Sequence, residues 1–178
     1  MGRHQVASLL QIAPLSAACY STTVESDGRK HPVHFPSLEK YNTSTIVFVT
    51  VCTKNRKGIL ANEPTHQRLR DAWGAKSSWI VGRYMIMPDH IHLFCAPGEF
   101  PPIPLAPWVK FWKSQAARFW PEKGDAPVWQ RDFWDTQLRR GDNYTEKWHY
   151  VVSNAVRAGL VQRAEDWPYQ GELNVLRW

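Results

Sequence analysis

The stretch Tyr84 to Phe94, Y-M-I-M-P-D-H-I-H-L-F, constrains the fold more than any other part of the chain. Trp79 to Met87 reads as one strand and His90 to Ala96 as the next, with Pro88-Asp89 as the turn of a β-hairpin. Successive side chains of a strand point to opposite faces. His90 and His92 therefore stand side by side on one face, and Ile91 between them turns into the core. Two imidazoles on one sheet face can bind one divalent metal ion.

The rest of the chain supplies partners for that hairpin. Ser44 to Thr53, S-T-I-V-F-V-T-V-C-T, is β-branched and apolar almost throughout, as a strand buried on both faces is. The turn that follows, Lys54 to Gly58, carries three positive charges and is either a phosphate contact or a solvated loop. Pro64 to Trp79 contains a helical segment with Leu69 and Trp73 four apart on one face. Five prolines make Pro97 to Pro107 a loop. Leu105 to Trp120 is an amphipathic helix, with Trp108, Phe111, Trp112 and Phe119 at helical spacings. Val128 to Trp134 is expected to be a short strand, and Asn143 to Ala158 the last helix, capped by Gly159. Residues 160–178 are expected to pack on the core through Leu160, Trp167 and Tyr169.

This order of elements matches the split β-α-β arrangement. The expected fold is α+β: a ferredoxin-like antiparallel sheet with helices on one face, plus a C-terminal helix carrying a tyrosine. Residues 1–40 lack periodicity and are expected to be a poorly ordered N-terminal extension; residues 41–178 are expected to form the domain. The first residues faintly imitate a signal peptide, but Gln11 and Pro14 interrupt the apolar patch.

At 178 residues the chain suits one domain. Its formal net charge of +6 leans towards a polyanionic partner. Ten tryptophans strengthen the case for nucleic acid, since exposed rings stack on bases, although most are expected to pack the core. Three cysteines without a C-x-x-C pair argue against a disulfide framework or a cysteine zinc site, and suit a reducing cytosol. No run of 18 apolar residues occurs, so no membrane span is expected.

A metal ion that does phosphate chemistry needs a nucleophile beside it. The best candidate is Tyr150, in W-H-Y-V-V-S-N-A-V-R-A-G-L-V. Asn154 lies one helical turn on, so its amide rises from the same helix face. If that face packs over the histidine strand, Asn154 becomes a third ligand and Tyr150 lies next to the metal. Two imidazoles and an amide are all neutral and leave the ion its full double charge, which polarises a phosphodiester. Phosphate oxygens favour Mg²⁺, and the histidines move the choice towards Mn²⁺. A phosphotyrosine has a good leaving group, which favours strand transfer over hydrolysis. Asp89 is a turn residue or a partner to a histidine. His149 points about 100° away from Tyr150 and is structural or a DNA contact.

The motif M-P-D-H-I-H-L resembles the His-hydrophobic-His (HUH) motif of the IS200/IS605 single-tyrosine transposases. The match is closer to their REP-associated relatives, the RAYT proteins. It extends over V-W-Q-R-D-F-W-D, the helix ending N-A-V-R-A-G-L-V and the tail A-E-D-W-P-Y, in the family's order. The resemblance implies His90 and His92 as metal ligands, Tyr150 as nucleophile and Asn154 as a polar ligand. It also implies Mg²⁺ or Mn²⁺, a ferredoxin-like fold, and single-stranded or hairpin DNA as partner. Such proteins nick single-stranded DNA, join its 5′ phosphate to the tyrosine and leave a 3′ hydroxyl. The chain departs from the family in having Ala155 where a proline often follows the asparagine. Arg83, Lys110, Lys113, Arg131, Arg139 and Arg140 are the candidate DNA contacts, with Trp134 as a stacking platform. The expected setting is a cytoplasmic, nucleoid-associated monomer or homodimer. The alternative is a domesticated, non-catalytic binder of hairpin DNA or RNA. Replication initiators and relaxases share the histidine pair but usually come as longer chains.

Overall fold

The structure is a computed structural model that describes residues 45–74, 78–99, 101, 103–118, 120–138 and 144–177. The expected extension, residues 1–40, lies outside them. The elements run β1 (Val47–Cys52), α1 (Glu63–Gly74), β2 (Trp79–Ile86), β3 (His90–Pro97), α2 (Leu105–Ala117), β4 (Trp134–Gln137), α3 (Tyr144–Arg157) and β5 (Gln170–Glu172). The strands form one sheet in the order β4-β1-β3-β2-β5, with every pair antiparallel. This is the α+β, ferredoxin-like arrangement expected from the sequence, extended by β5 at one edge. Among the described residues no helix is long and apolar enough to cross a membrane.

Both faces of the sheet are covered, and the alternation of the strands decides what each face receives. Val47, Val49, Val51, Ile91, Leu93 and Cys95 point to one side and pack with Leu69 and Trp73 of α1 and Trp108, Val109 and Trp112 of α2. Ile46, Met85, Phe94 and Ala96 point to the other side and pack with Val151 and Ala155 of α3 and with Trp167. Fully burying each aliphatic side chain in such a core contributes about 1.5–3 kcal/mol.

Local chemistry sets the boundaries. Asn62 caps α1, its Oδ1 accepting the Thr65 amide at 2.9 Å. The hairpin turn closes with the Met87 amide donating to the His90 carbonyl at 2.8 Å. Thr53 pins the turn, because its amide and its hydroxyl both donate to the Asp89 carbonyl at 3.0 Å. The β2–β3 pairing shifts register between Val81 and Tyr84. Gly82 lies in that interval, where a Cβ would come within 2.6 Å of Leu176 Cγ. Gly159, at φ 69°, ends α3 as expected.

Two expectations are corrected. Val128 to Trp134 is not a strand: Trp129 makes a single bridge to Thr53, and the ladder to β1 begins only at Trp134. The Lys113 ammonium takes the Gln130 and Arg131 carbonyls, at 2.6 and 3.0 Å, and so withdraws them from strand pairing. In the tail, Trp167 is buried and donates from Nε1 to the Ile86 carbonyl at 2.9 Å, but Leu160 is 41% exposed and anchors nothing. The sequence pattern also missed β5, whose three residues, Q-G-E, carry no strand signature and are held by the exposed edge of β2.

Candidate active site

His90 and His92 occupy the face of β3 that α3 covers, with Phe94 next in the same row, while Ile91 is fully buried on the other side. Their ring centroids are 4.7 Å apart and the rings meet edge to face. Each imidazole is oriented through Nδ1. His90 Nδ1 lies 2.6 Å from Asp89 Oδ1, and His92 Nδ1 lies 2.9 Å from the hydroxyl of Thr50, its cross-strand partner on β1. Asp89 is held in turn by Arg56, whose Nε sits 2.7 Å from Oδ2. The Phe48 ring stacks on His92 at 5.3 Å.

Burial lowers the pKa of His90, against the hydrogen bond and charge of Asp89, which raise it. Burial, with the charges of His90, Lys147, Arg56 and Arg157, lowers that of His92 to about 3. Both rings are therefore neutral at pH 7. His90 donates from Nδ1 to Asp89, which leaves its Nε2 lone pair for a ligand, and His92 offers the same nitrogen in the tautomer whose Nδ1 donates to Thr50. A carboxylate on the far nitrogen of a ligating histidine is the usual means of fixing its tautomer. The donor set thus fits a divalent ion, although no group of three or more His, Cys, Asp or Glu side chains able to hold a metal occurs among the described residues. A third protein ligand must come from another residue type, such as an amide.

Helix α3 packs over the histidine face. Tyr144 and Trp148 pack edge-on against Phe94, at 4.8 and 6.3 Å, and Val151 and Ala155 are buried beneath the helix. The adjoining stripe of the helix carries Lys147, Tyr150, Asn154 and Arg157, spaced by three and four residues. Lys147 Nζ lies 5.0 Å from the Phe48 ring centroid and 5.9 Å from that of Tyr150. Arg157 covers the other side, its guanidinium 4.4 Å from the Tyr150 centroid. One nitrogen of Arg157 donates to Asn154 Oδ1 and another to Ser153 Oγ at 2.7 Å. Tyr150 is 44% exposed, so a polymeric substrate can reach it.

The family scan finds no matching model. The chain is 25% identical over 125 residues to a REP-associated tyrosine transposase of Escherichia coli K12, covering 68% of this chain and 73% of that protein. It is 30% identical over 95 residues to a Haemophilus influenzae protein named after the same transposases, covering 47% and 53%. A solved REP-associated tyrosine transposase bound to a REP hairpin aligns with a TM-score of 0.61 and 23% identity, over 76% of this chain and 81% of that one.

The chain resembles the REP-associated tyrosine transposases. The resemblance seen in its motifs thus extends over 68% of the chain, and the solved transposase shares its fold.

Beyond the four central residues, the expected DNA contacts fare unequally. Lys113 is corrected: it is buried, with its ammonium spent on two backbone carbonyls. Lys110 is exposed, but on α2, across the sheet from the histidines. Arg83 pairs with Glu172 at 3.3 Å and lies over Tyr144 and Trp148, so its charge is largely used within the fold. Arg131 is exposed beside Asp132, and Arg139 and Arg140 lie outside the described residues. Trp134 is half-buried on edge strand β4, in register with Thr50 and hence in one row with His92. Sequence reasoning missed Lys147, Arg157 and Thr50. The first two were legible as one helical stripe with Tyr150 and Asn154; Thr50 depends on pairing register, which the sequence does not print.

Proposed function

We propose that this chain is a metal-dependent single-stranded DNA endonuclease and strand transferase acting at REP-type hairpins, with Tyr150 as its nucleophile. The observation that carries the reading is the pairing of two neutral, Nδ1-anchored histidines with a helix over the same face that presents Tyr150 between two cations. Hairpin DNA as the substrate is supported by the solved relative named as bound to a REP hairpin. A DNA substrate in turn implies a cytoplasmic, nucleoid-associated site of action.

His90, His92 and Asn154 would hold Mg²⁺ or Mn²⁺, which when bound supplies positive charge to polarise the scissile phosphate. The chain's own residues do the rest. Asp89 and Thr50 fix the two rings. Lys147 and Arg157 offer positive charge to the phosphate oxygens on either side of the tyrosine. The Tyr150 oxygen attacks phosphorus, forming the O–P bond as the bond to the 3′ oxygen breaks. The hydroxyl proton leaves to solvent and the 3′ oxygen takes one up, so the products are a 5′ phosphotyrosine and a 3′ hydroxyl. Attack by another 3′ hydroxyl on that phosphotyrosine reverses the step and joins strands.

The test is adduct formation. Single-stranded DNA carrying a palindrome from the gene's flanks is incubated with Mn²⁺ or Mg²⁺ and run on a denaturing protein gel. The expected result is a DNA-shifted protein band that disappears with Tyr150→Phe and with EDTA. Hairpin binding without an adduct would replace this reading with the non-catalytic binder.

A further inference from the structure

We propose that Arg157 is a built-in placeholder cation, holding Asn154 and covering Tyr150 until a metal ion and a DNA phosphate displace it. The inference rests on the proposed roles of Tyr150 and Asn154. It makes Arg157 a positioning residue that couples metal binding to DNA binding.

Arg157 is exposed, yet its guanidinium is engaged on three sides. It donates to Asn154 Oδ1, donates to Ser153 Oγ at 2.7 Å, and lies 4.4 Å from the Tyr150 ring centroid. Ser153 passes the tether on, its hydroxyl donating to the Tyr150 carbonyl at 2.8 Å. The nucleophile, the amide and the cation are thus linked through one turn of helix. Asn154 Oδ1 is the hard oxygen that α3 would offer to the ion, and Arg157 holds it. A divalent ion on that oxygen would meet a like charge at close range. Arg157 must then swing away, and the partner best matched to its planar fork is a phosphate oxygen. A scissile strand that attracts Arg157 therefore releases Asn154, so metal and DNA tighten each other's binding reciprocally.

The experiment is Mn²⁺ titration of the full chain by electron paramagnetic resonance, with and without single-stranded DNA, for wild type, Arg157→Ala and His90→Ala. Circular dichroism checks that each variant is folded. Wild type is expected to bind Mn²⁺ more tightly when DNA is present. Arg157→Ala is expected to bind it roughly tenfold more tightly than wild type without DNA, because a nearby positive charge is gone. It is also expected to lose most of the DNA enhancement. Unchanged or weaker Mn²⁺ binding by folded Arg157→Ala, with His90→Ala impaired, would overturn the placeholder role and leave the metal site standing. Equal Mn²⁺ binding by wild type and His90→Ala would overturn the metal site itself, and this inference with it.

Discussion

On the face covered by α1 and α2, the sheet meets a layer of large rings: Trp73, Trp108, Trp112 and Trp129 in a chain of contacts at 5.7–6.4 Å. On the face covered by α3, the same strands present Thr50, His90 and His92 beside Phe48 and Phe94. Strand β3 serves both, giving Ile91, Leu93 and Cys95 to one side and the histidines to the other. The first face secures the fold and the second can then carry a pair of imidazoles. Charge divides the same way. Lys113 is buried against carbonyls on the first side, whereas Lys147 and Arg157 flank an exposed tyrosine on the second.

The largest expected contrast is in stability. Trp112→Ala removes a fully buried ring from the first face and is expected to cost about 3–5 kcal/mol in urea unfolding. His92→Ala on the second face gives up one hydrogen bond to Thr50 and is expected to cost only about 1 kcal/mol, while abolishing the adduct. Similar stability losses for the two would end the division of labour between the faces.

A smaller effect sharpens the second face. Asp89→Asn removes the carboxylate that holds His90 Nδ1 and pairs with Arg56. Mn²⁺ affinity is expected to fall roughly 10- to 100-fold, with little change in unfolding midpoint. Unchanged Mn²⁺ affinity would make Asp89 a turn residue only.

The smallest effect belongs to the first face and is read by pH. Burial lowers the pKa of Lys113 to about 8 from 10.5, with Asp132 opposing. Between those two values the unfolded chain holds a proton that the folded chain has released. Lys113 therefore adds a term to stability that rises with pH, by up to about 1.4 kcal/mol per unit. Other groups titrate in this range, so the comparison is between slopes: unfolding free energy against pH from 8 to 10 should rise less steeply, or fall more steeply, in Lys113→Met than in wild type. Parallel slopes would show that the two carbonyl bonds keep the lysine charged.

Much of this was legible in the residues. The alternation in H-I-H-L-F put both histidines on one face and Ile91 in the core, because strand geometry leaves no other choice. The four-residue spacing of Tyr150 and Asn154 put them on one helical stripe, as 3.6 residues per turn requires. Both are local periodicities, and local periodicity is what a sequence prints. The strand expected at Val128 to Trp134 failed because Lys113, 17 and 18 residues upstream of Gln130 and Arg131, takes carbonyls that a ladder would need. The pairing of Thr50 with His92 joins residues 42 apart and follows from register alone.

The sequence by itself determined the three central strands of the sheet, their hairpin, and which side chains share a strand or helix face, since these follow from bond geometry and the burial of apolar surface. Only the tertiary structure decided that α3 covers the histidine face, that Lys113 is enclosed while Lys147 and Arg157 stand around Tyr150, and that Asn154 is held by Arg157. Those outcomes depend on which distant groups meet once the core has packed, and competing partners for a charge or a carbonyl are chosen by proximity in space.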